Sequence, residues 1–261
     1  MPILVLSPRF TPYSITLARA AHASGWQVER LHRWEPTKEL QKSAAVIYGE
    51  PLFAAAIAEA LSVVLLEPPF DWLTRLSQDW TKREVSMSTL EKARRLSGPA
   101  FIKPAEDKSF PARVYKRGLE ASDLLPKDLP VLTSEPVTWR SEFRCFVMEG
   151  KVVAISLYSR YGELAQAEDG SWPAAPHELE QARAFASYML EENHHEIPPA
   201  VVIDVGIIEG RDWAVVEANP AFSAGIYGCD PEVVLNVVQR SCVRHSDLSS
   251  ADTRWVITRS E

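Results

Sequence analysis

The feature that most constrains this chain is a change of rhythm near residue 70. Before it, short apolar runs alternate with helix-compatible segments: "PILVLSP" then "TPYSITLARAAHASGW", "QVERLHRW", "SAAVIYG" then "LFAAAIAEAL", and finally "SVVLLEP". Thr11 can cap the first helix, Pro12 suits its first turn and Gly25 can close it, while Pro51 opens the second. Strands separated by helices of about ten residues pair in parallel, because each return crosses the sheet through a helix. A parallel α/β unit is therefore expected over roughly residues 1–70, with "SVVLLEP" as its fourth strand. It resembles a small Rossmann-like domain, but without a GxGxxG fingerprint it gives no reason to expect a nicotinamide cofactor.

Beyond "PPFDWLTRLSQDWTK" (68–82), a proline- and tryptophan-bearing connector, the pattern becomes strand followed by strand. "STLE" reads as a capping box in which Ser88 and Glu91 satisfy each other's backbone N–H groups, with Gly98 ending that helix. "GPAFIKPAEDKSFPARVYK" reads as strand, polar loop and strand. Further strands are expected at "PVLTSEPV", "SEFRCFVMEGKVVAISLYS", "AVVIDVGIIEG" and "DWAVVEANP", and helices near 177–192 and 231–243. Glu149-Gly150 between two alternating apolar runs is a hairpin signal. The second part is thus α+β and mostly antiparallel.

Composition narrows the function classes. The 261 residues are 46% hydrophobic and 24% charged, which allows a full core. A net charge of -7 with interspersed signs gives no sequence-wide footprint for nucleic acid. Cys145, Cys229 and Cys242 are odd in number and contain no CxxC, which indicates neither a disulfide framework nor a zinc ribbon. No apolar run approaches the roughly 20 residues that span a bilayer, and "MPILVLSPRF" turns polar too early for a signal peptide. A cytoplasmic protein is expected.

The chemistry concentrates in "VVIDVGIIEGRDWAVVEANP". Side chains two apart on a strand share a face, so Glu217 and Asn219 point together, and a hairpin turned near Gly210 brings Asp204 beside them. Two carboxylates and an amide oxygen form a hard-oxygen set suited to Mg²⁺ carried by a nucleotide. The plainer reading is a pair of edge-strand carboxylates facing water.

The spacing of Asp204, Glu217 and Asn219, with "EANP" followed by small residues, resembles the metal site of the ATP-grasp superfamily, which includes D-alanine–D-alanine ligase and the ligase that adds glutamates to a ribosomal protein. "FIKP" resembles the strand whose lysine contacts nucleotide phosphates, "LTSEPV" stands where the adenine-binding hinge falls, and "EFRCFVMEGKVVA" is similar to the ribosomal-protein ligase branch. The order and spacing of these pieces cover about residues 80–240, and the extra Lys and Arg resemble a small bacterial and phage branch. The resemblance implies a Rossmann-like pre-ATP-grasp domain (1–80), a lid subdomain (81–135) and a C-terminal subdomain (136–261) carrying the metal and phosphate site.

It further implies ATP and Mg²⁺ as cofactors and an ADP-forming carboxylate–amine ligase working through an acylphosphate. Asp204, Glu217 and Asn219 would hold metal. Lys103, Arg144 and Arg160 would serve the transferring phosphate or the substrate carboxylate. Lys103, Lys108, Ser134, Glu135, Pro136, Val137, Glu142 and Arg144 would contact nucleotide. Glu142 and Arg144 share one strand face, and the alternative for Arg144 is an ion pair with Glu142 or Glu163 on a solvated face. The loop after Lys103 lacks the glycines many relatives have, so Lys108 and Ser109 would replace backbone N–H groups with side chains. Arg83 falls near a basic position of the family. His194 and His195 read as surface residues, and Cys145 as a core residue rather than a nucleophile. Substrates would be small-molecule or peptide carboxylates and amines, with no membrane or nucleic acid and with room for a homodimer. A kinase of the same fold and a non-catalytic ATP-binding module are the other readings.

Overall fold

In the computed structural model, residues 1–106, 109–122 and 124–257 are described. The first part runs β1 (Pro2–Leu6), α1 (Pro12–Ala23), β2 (Gln27–Arg30), β3 (Ala44–Tyr48), α2 (Pro51–Ala58), β4 (Val63–Leu65), then the short helices α3 (Trp72–Arg75) and α4 (Gln78–Thr81). A second group follows: β5 (Val85–Thr89), α5 (Leu90–Arg94), β6 (Ala100–Pro104), β7 (Arg113–Tyr115) and β8 (Pro130–Ser134). The rest comprises β9 (Trp139–Met148), β10 (Lys151–Arg160), β11 (Glu163–Leu164), α6 (Pro176–Asn193), β12 (Ala200–Ile208), β13 (Trp213–Asn219), α7 (Pro231–Ser241) and β14 (Cys242–Arg244).

The apolar runs of β1 and β3 are buried and pair in parallel, with the polar "QVER" of β2 at the edge, giving the order β2-β1-β3. Thr11 caps α1 through a reciprocal pair of hydrogen bonds with Ser14, each 3.1 Å, and Pro12 fills the first turn. The expected fourth parallel strand is not formed. β4 pairs antiparallel with β14, which returns from the far end of the chain after α7. No helix follows β4, so nothing carries the chain back over the sheet, and its edge is taken by a strand that arrives from α7.

β5, β8, β6 and β7 form an antiparallel lid sheet in that order. Ile102 and Val131 pack with Leu90 and Ala93 of α5 on one face, leaving Lys103 on the other. The expected Ser88–Glu91 capping box is absent: Ser88 stays paired in β5 opposite Val131, and the cap is Thr89, whose hydroxyl accepts from the Lys92 N–H at 3.4 Å. Pairing with β8 runs through Thr89, so the strand holds Ser88 and the helix starts one residue later. The helix also ends at Arg94, before Gly98.

The main body is the antiparallel sheet β11-β10-β9-β12-β13. Glu149 and Gly150, with φ of 48° and 73°, make the tight turn between β9 and β10. This left-handed pair matches the twist of the strands it joins. One face of the sheet (Phe143, Cys145, Val147, Ile203, Val215) packs under α6 through Ala182, Ala186 and Met189. The other face (Phe146, Ala154, Val202) belongs to a cluster that includes Val234, Val237 and Val238 of α7 and Leu4, Val5 and Leu6 of β1. Helix α7 is therefore a shared layer between the parallel sheet and the body, and it holds the carboxyl ends of β1 and β3 beside the body's polar residues. Among the described residues no helix is long and apolar enough to cross a membrane.

Candidate functional site

Simple alternation along β13 would put Val215 and Glu217 on one face. The structure has a β-bulge: Asp204 pairs with Glu217 and Val205 pairs with Val215, which leaves Val216 as an extra residue. Val215 thus stays in the α6-side core while Glu217 turns to the face of Asp204. Asn219 donates through Nδ2 to Glu217 Oε1 at 2.9 Å, and its Oδ1 accepts from no group among the described residues. Lys103 reaches across from the lid sheet, with Nζ 2.6 Å from Glu217 Oε2. Burial acts to raise the Glu217 carboxyl, but the charge and hydrogen bond of Lys103 and the amide of Asn219 outweigh it and hold the group at about 2.

Asp204 is fully buried, and Arg144 clamps it through two bonds, Nε to Oδ1 at 3.0 Å and NH2 to Oδ2 at 2.7 Å. This bidentate pair replaces both ion pairs weighed for Arg144, with Glu142 and with Glu163. Burial acts to lower the guanidinium's affinity for its proton, and the Asp204 charge more than reverses this, so Arg144 is held firmly cationic. Burial raises the Asp204 carboxyl, with Arg144 opposing the rise. The remaining nitrogen of the fork donates to the Gly225 carbonyl at 3.0 Å, and the rings of Tyr227 and Tyr158 lie 4.7 and 5.3 Å from the guanidinium carbon. Glu142 lies on the same face, accepting from the Tyr158 and Ser159 hydroxyls at 3.0 and 2.8 Å, and burial raises its carboxyl.

Sequence reasoning does not single out the tyrosines around this pair. Tyr158 and Tyr227 stack with centroids 4.8 Å apart, and Tyr13 from α1 meets Tyr227 edge-on at 5.5 Å. A Cβ on Gly225 would come 2.8 Å from the Tyr13 ring, so only glycine permits this approach without a shift. The "SAGIYG" segment is thereby attached to the mouth of the parallel sheet, where Tyr48 also donates to the Ala224 carbonyl at 2.8 Å. Period two would have found Tyr158 on the Arg144 face; Tyr13 and Tyr227 lie in a helix turn and a loop, where no periodicity speaks.

Arg160 is not brought to the cluster. A register shift between Leu157 and Ser159 sets Ser159 opposite Glu142 and Arg160 opposite Ser141. That one-residue slip turns Arg160 away, and it pairs instead with Glu178 at the start of α6, at 2.8 Å. Lys108 lies outside the described residues. The hinge residues Ser134, Glu135, Pro136 and Val137 link lid and body. The Glu135 N–H is taken by the Glu84 carbonyl at 3.0 Å and its carboxylate by Arg211, while the Val137 N–H meets no acceptor among the described residues. A cavity of about 600 Å³ touches Ser134, Glu135 and Pro136 but is otherwise lined by Leu73, Arg83, Leu96 and their neighbours, and it includes neither Lys103 nor Glu217. Because it misses both charged groups, it is not the candidate phosphate site. His195 is an exposed surface residue, and burial pushes the Cys145 thiol well above its ordinary value, which fits an inert core cysteine.

Glu217, Asn219 and Asp204 offer only hard oxygens, which fits a Mg²⁺ ion rather than a transition metal. The free Oδ1 of Asn219 and the partly exposed Glu217 are the accessible donors; Asp204 is reached only by sharing oxygens that already serve Arg144. Among the described residues no cluster of three or more His, Cys, Asp or Glu side chains could hold a metal.

Residues 80–237 match an ATP-grasp domain family, the second family of its clade. A RimK domain protein ATP-grasp from Sphaerobacter thermophilus superposes with a TM-score of 0.52 at 15% identity, covering 91% of this chain and 99% of the other. The D-cycloserine synthetase DcsG superposes with a TM-score of 0.55 at 13% identity, covering 91% and 98%. At these identities the likeness concerns the fold. No curated protein matches the sequence.

Proposed function

Because this chain belongs to the ATP-grasp family, matched over residues 80–237, we propose that it is an ADP-forming ligase that joins a carboxylate to an amine at the expense of ATP. The observation that carries this reading is the meeting of Lys103 and Glu217 at 2.6 Å between lid and body, next to Asn219 and the Arg144–Asp204 pair. A cation from one sheet and acidic oxygens from the other bracket a cleft, which is the charge arrangement a metal-bound polyphosphate needs.

Lys103 would leave Glu217 for phosphate oxygens as nucleotide enters, and the freed Glu217, with Asn219 and Asp204, would hold Mg²⁺. That ion would neutralise phosphate charge when bound. The hinge from Ser134 to Val137 would hold adenine, with the Val137 N–H as donor. Arg144, with its fork occupied by Asp204 and Gly225, would act as a fixed positive charge at the base of the site. In the reaction a substrate carboxylate oxygen attacks the γ-phosphorus of ATP and ADP leaves. An amine nitrogen then attacks the acyl carbon, inorganic phosphate departs with the C–O electron pair, and the nitrogen loses a proton. Such transfer depends on positioning and electrostatics, so no nucleophilic side chain is required. The acid would enter between "SAGIYG" and the carboxyl ends of β1 and β3, where ligands bind in open parallel sheets. Arg9 and Phe10, both well exposed, stand there. In this reading residues 1–80, 81–135 and 136–261 act as acceptor domain, lid and catalytic body.

The test is to incubate the protein with Mg²⁺, ATP and a panel of amino acids and peptides, following ADP and inorganic phosphate together. A ligase releases both in equal amounts with an amide product. ADP without phosphate, alongside a phosphorylated acceptor, would identify a kinase. ATP binding with no ADP under any condition would identify a binding module.

A further inference from the structure

We infer that Arg83 is a positioning residue for Glu217, acting by capping the β-bulge from which Glu217 projects; the inference rests on the Mg·ATP reading given above. β13 is the edge strand of the body sheet, so its outer carbonyls have no neighbouring strand. Arg83 supplies the missing donors at one place, with NH1 2.8 Å from the Val215 carbonyl and NH2 2.9 Å from the Val216 carbonyl. These are the two residues of the bulge, and the next residue is Glu217. The guanidinium also donates to the Thr81 carbonyl at 3.1 Å and lies 5.0 Å from the Trp139 ring, and Arg83 is only 6% exposed.

A bulge is the point where a strand can change which way its next side chain faces. Here the change is what lets Val215 stay in the core while Glu217 faces Asp204 and Lys103. The planar fork of arginine fits two successive carbonyls at once, whereas the point charge of lysine can serve only one well. Arg83 also adjoins the lid root, because the carbonyl of its neighbour Glu84 accepts from the hinge N–H of Glu135 at 3.0 Å. Arg211, in the β12–β13 turn, donates to the Lys82 carbonyl and to the Glu135 carboxylate. The segment preceding the lid is thus fastened to the β12–β13 hairpin on both sides of its bulge, and the hinge cannot shift without straining the strand that presents Glu217.

Supporting side chains of metal ligands change metal affinity by about 10–100-fold when removed. Arg83→Lys and Arg83→Gln should therefore raise the Mg²⁺ concentration needed for half-maximal ATP binding by about tenfold or more. Metal-free ATP binding should change less than about twofold, with Lys the milder variant. Calorimetric titration of ATP at fixed Mg²⁺ concentrations measures both, after circular dichroism confirms folding; Arg83→Lys keeps the charge and serves if the Gln variant does not fold. Wild-type Mg²⁺ dependence in a folded Arg83 variant would overturn the inference, as would equal weakening of metal-free and metal-loaded binding. Absence of Mg-dependent ATP binding in the wild type would instead defeat the functional reading on which the inference stands.

Discussion

Lys103 of the lid sheet and Glu217 of the body sheet meet at 2.6 Å, closing an ion pair across the cleft between two separate sheets. Glu217 is held at about 2, below the roughly 4.3 of a free glutamate, because Lys103 and Asn219 outweigh its burial. A depressed carboxyl contributes stability that is fully present above its unfolded value and is lost as pH falls through its folded one, so the window runs from about pH 4.3 down to about 2. Urea midpoints of wild type and Glu217→Gln should differ by a constant amount between pH 5 and 7, all on the ~4.3 side. That difference should shrink as pH is lowered below ~4. A gap that persists unchanged at the lowest pH at which both fold would contradict the pair's contribution.

The Arg144–Asp204 pair is the opposite kind of ion pair, with side chains 8% and 0% exposed. Removing one partner strands a buried charge, so Arg144→Ala and Asp204→Ala should each cost about 3–5 kcal/mol. The double variant should cost clearly less than the sum, since the residues share one interaction. A double-mutant cycle by urea denaturation checks this, and additive losses would mean that the pair is not coupled.

The three cysteines are buried, and each thiol is raised by burial, Cys229 to about 12 and Cys242 to about 11. Native protein at neutral pH should resist a thiol-reactive dye, and all three groups should react after denaturation. Rapid labelling of Cys145 in folded protein would show that the β9 core opens.

Gly225 receives Arg144 on its carbonyl and Tyr13 against its Cα. Gly225→Ala should destabilise by about 1–3 kcal/mol through overpacking. Tyr13→Leu should relieve part of that cost when combined with it. Equal effects in both backgrounds would deny the contact.

Much of this was legible in the sequence because two rules carry it. Alternation of apolar runs marked β1, β3, β9, β10, β12 and β13, and Glu149-Gly150 marked its hairpin, since both depend on neighbours in the chain. Asp204, Glu217 and Asn219 were legible from strand pattern and spacing, and the structure does gather them with Lys103. What was hidden depends on exceptions to period two or on distant partners. The slip near Tyr158 turned Arg160 toward Glu178, and the extra residue Val216 set the face of Glu217. β4 lost its parallel place to β14, a partner nearly 180 residues away whose arrival no local propensity announces. The Arg144 fork was expected to be free, yet its partner Asp204 sits on the adjacent strand, a pairing that only the register of β9 against β12 defines.

The most direct test of the central claim is thermal unfolding with excess Mg²⁺ and ATP, with GTP as control, for wild type, Lys103→Ala and Glu217→Gln. Ligand at about a hundred times its Kd stabilises by roughly 2.7 kcal/mol, which in a chain of this size raises Tm by several degrees. The account predicts that rise in the wild type only when Mg²⁺ and ATP are both present, and a smaller rise in each variant. No rise at millimolar Mg·ATP, or one of equal size in both variants, would contradict it.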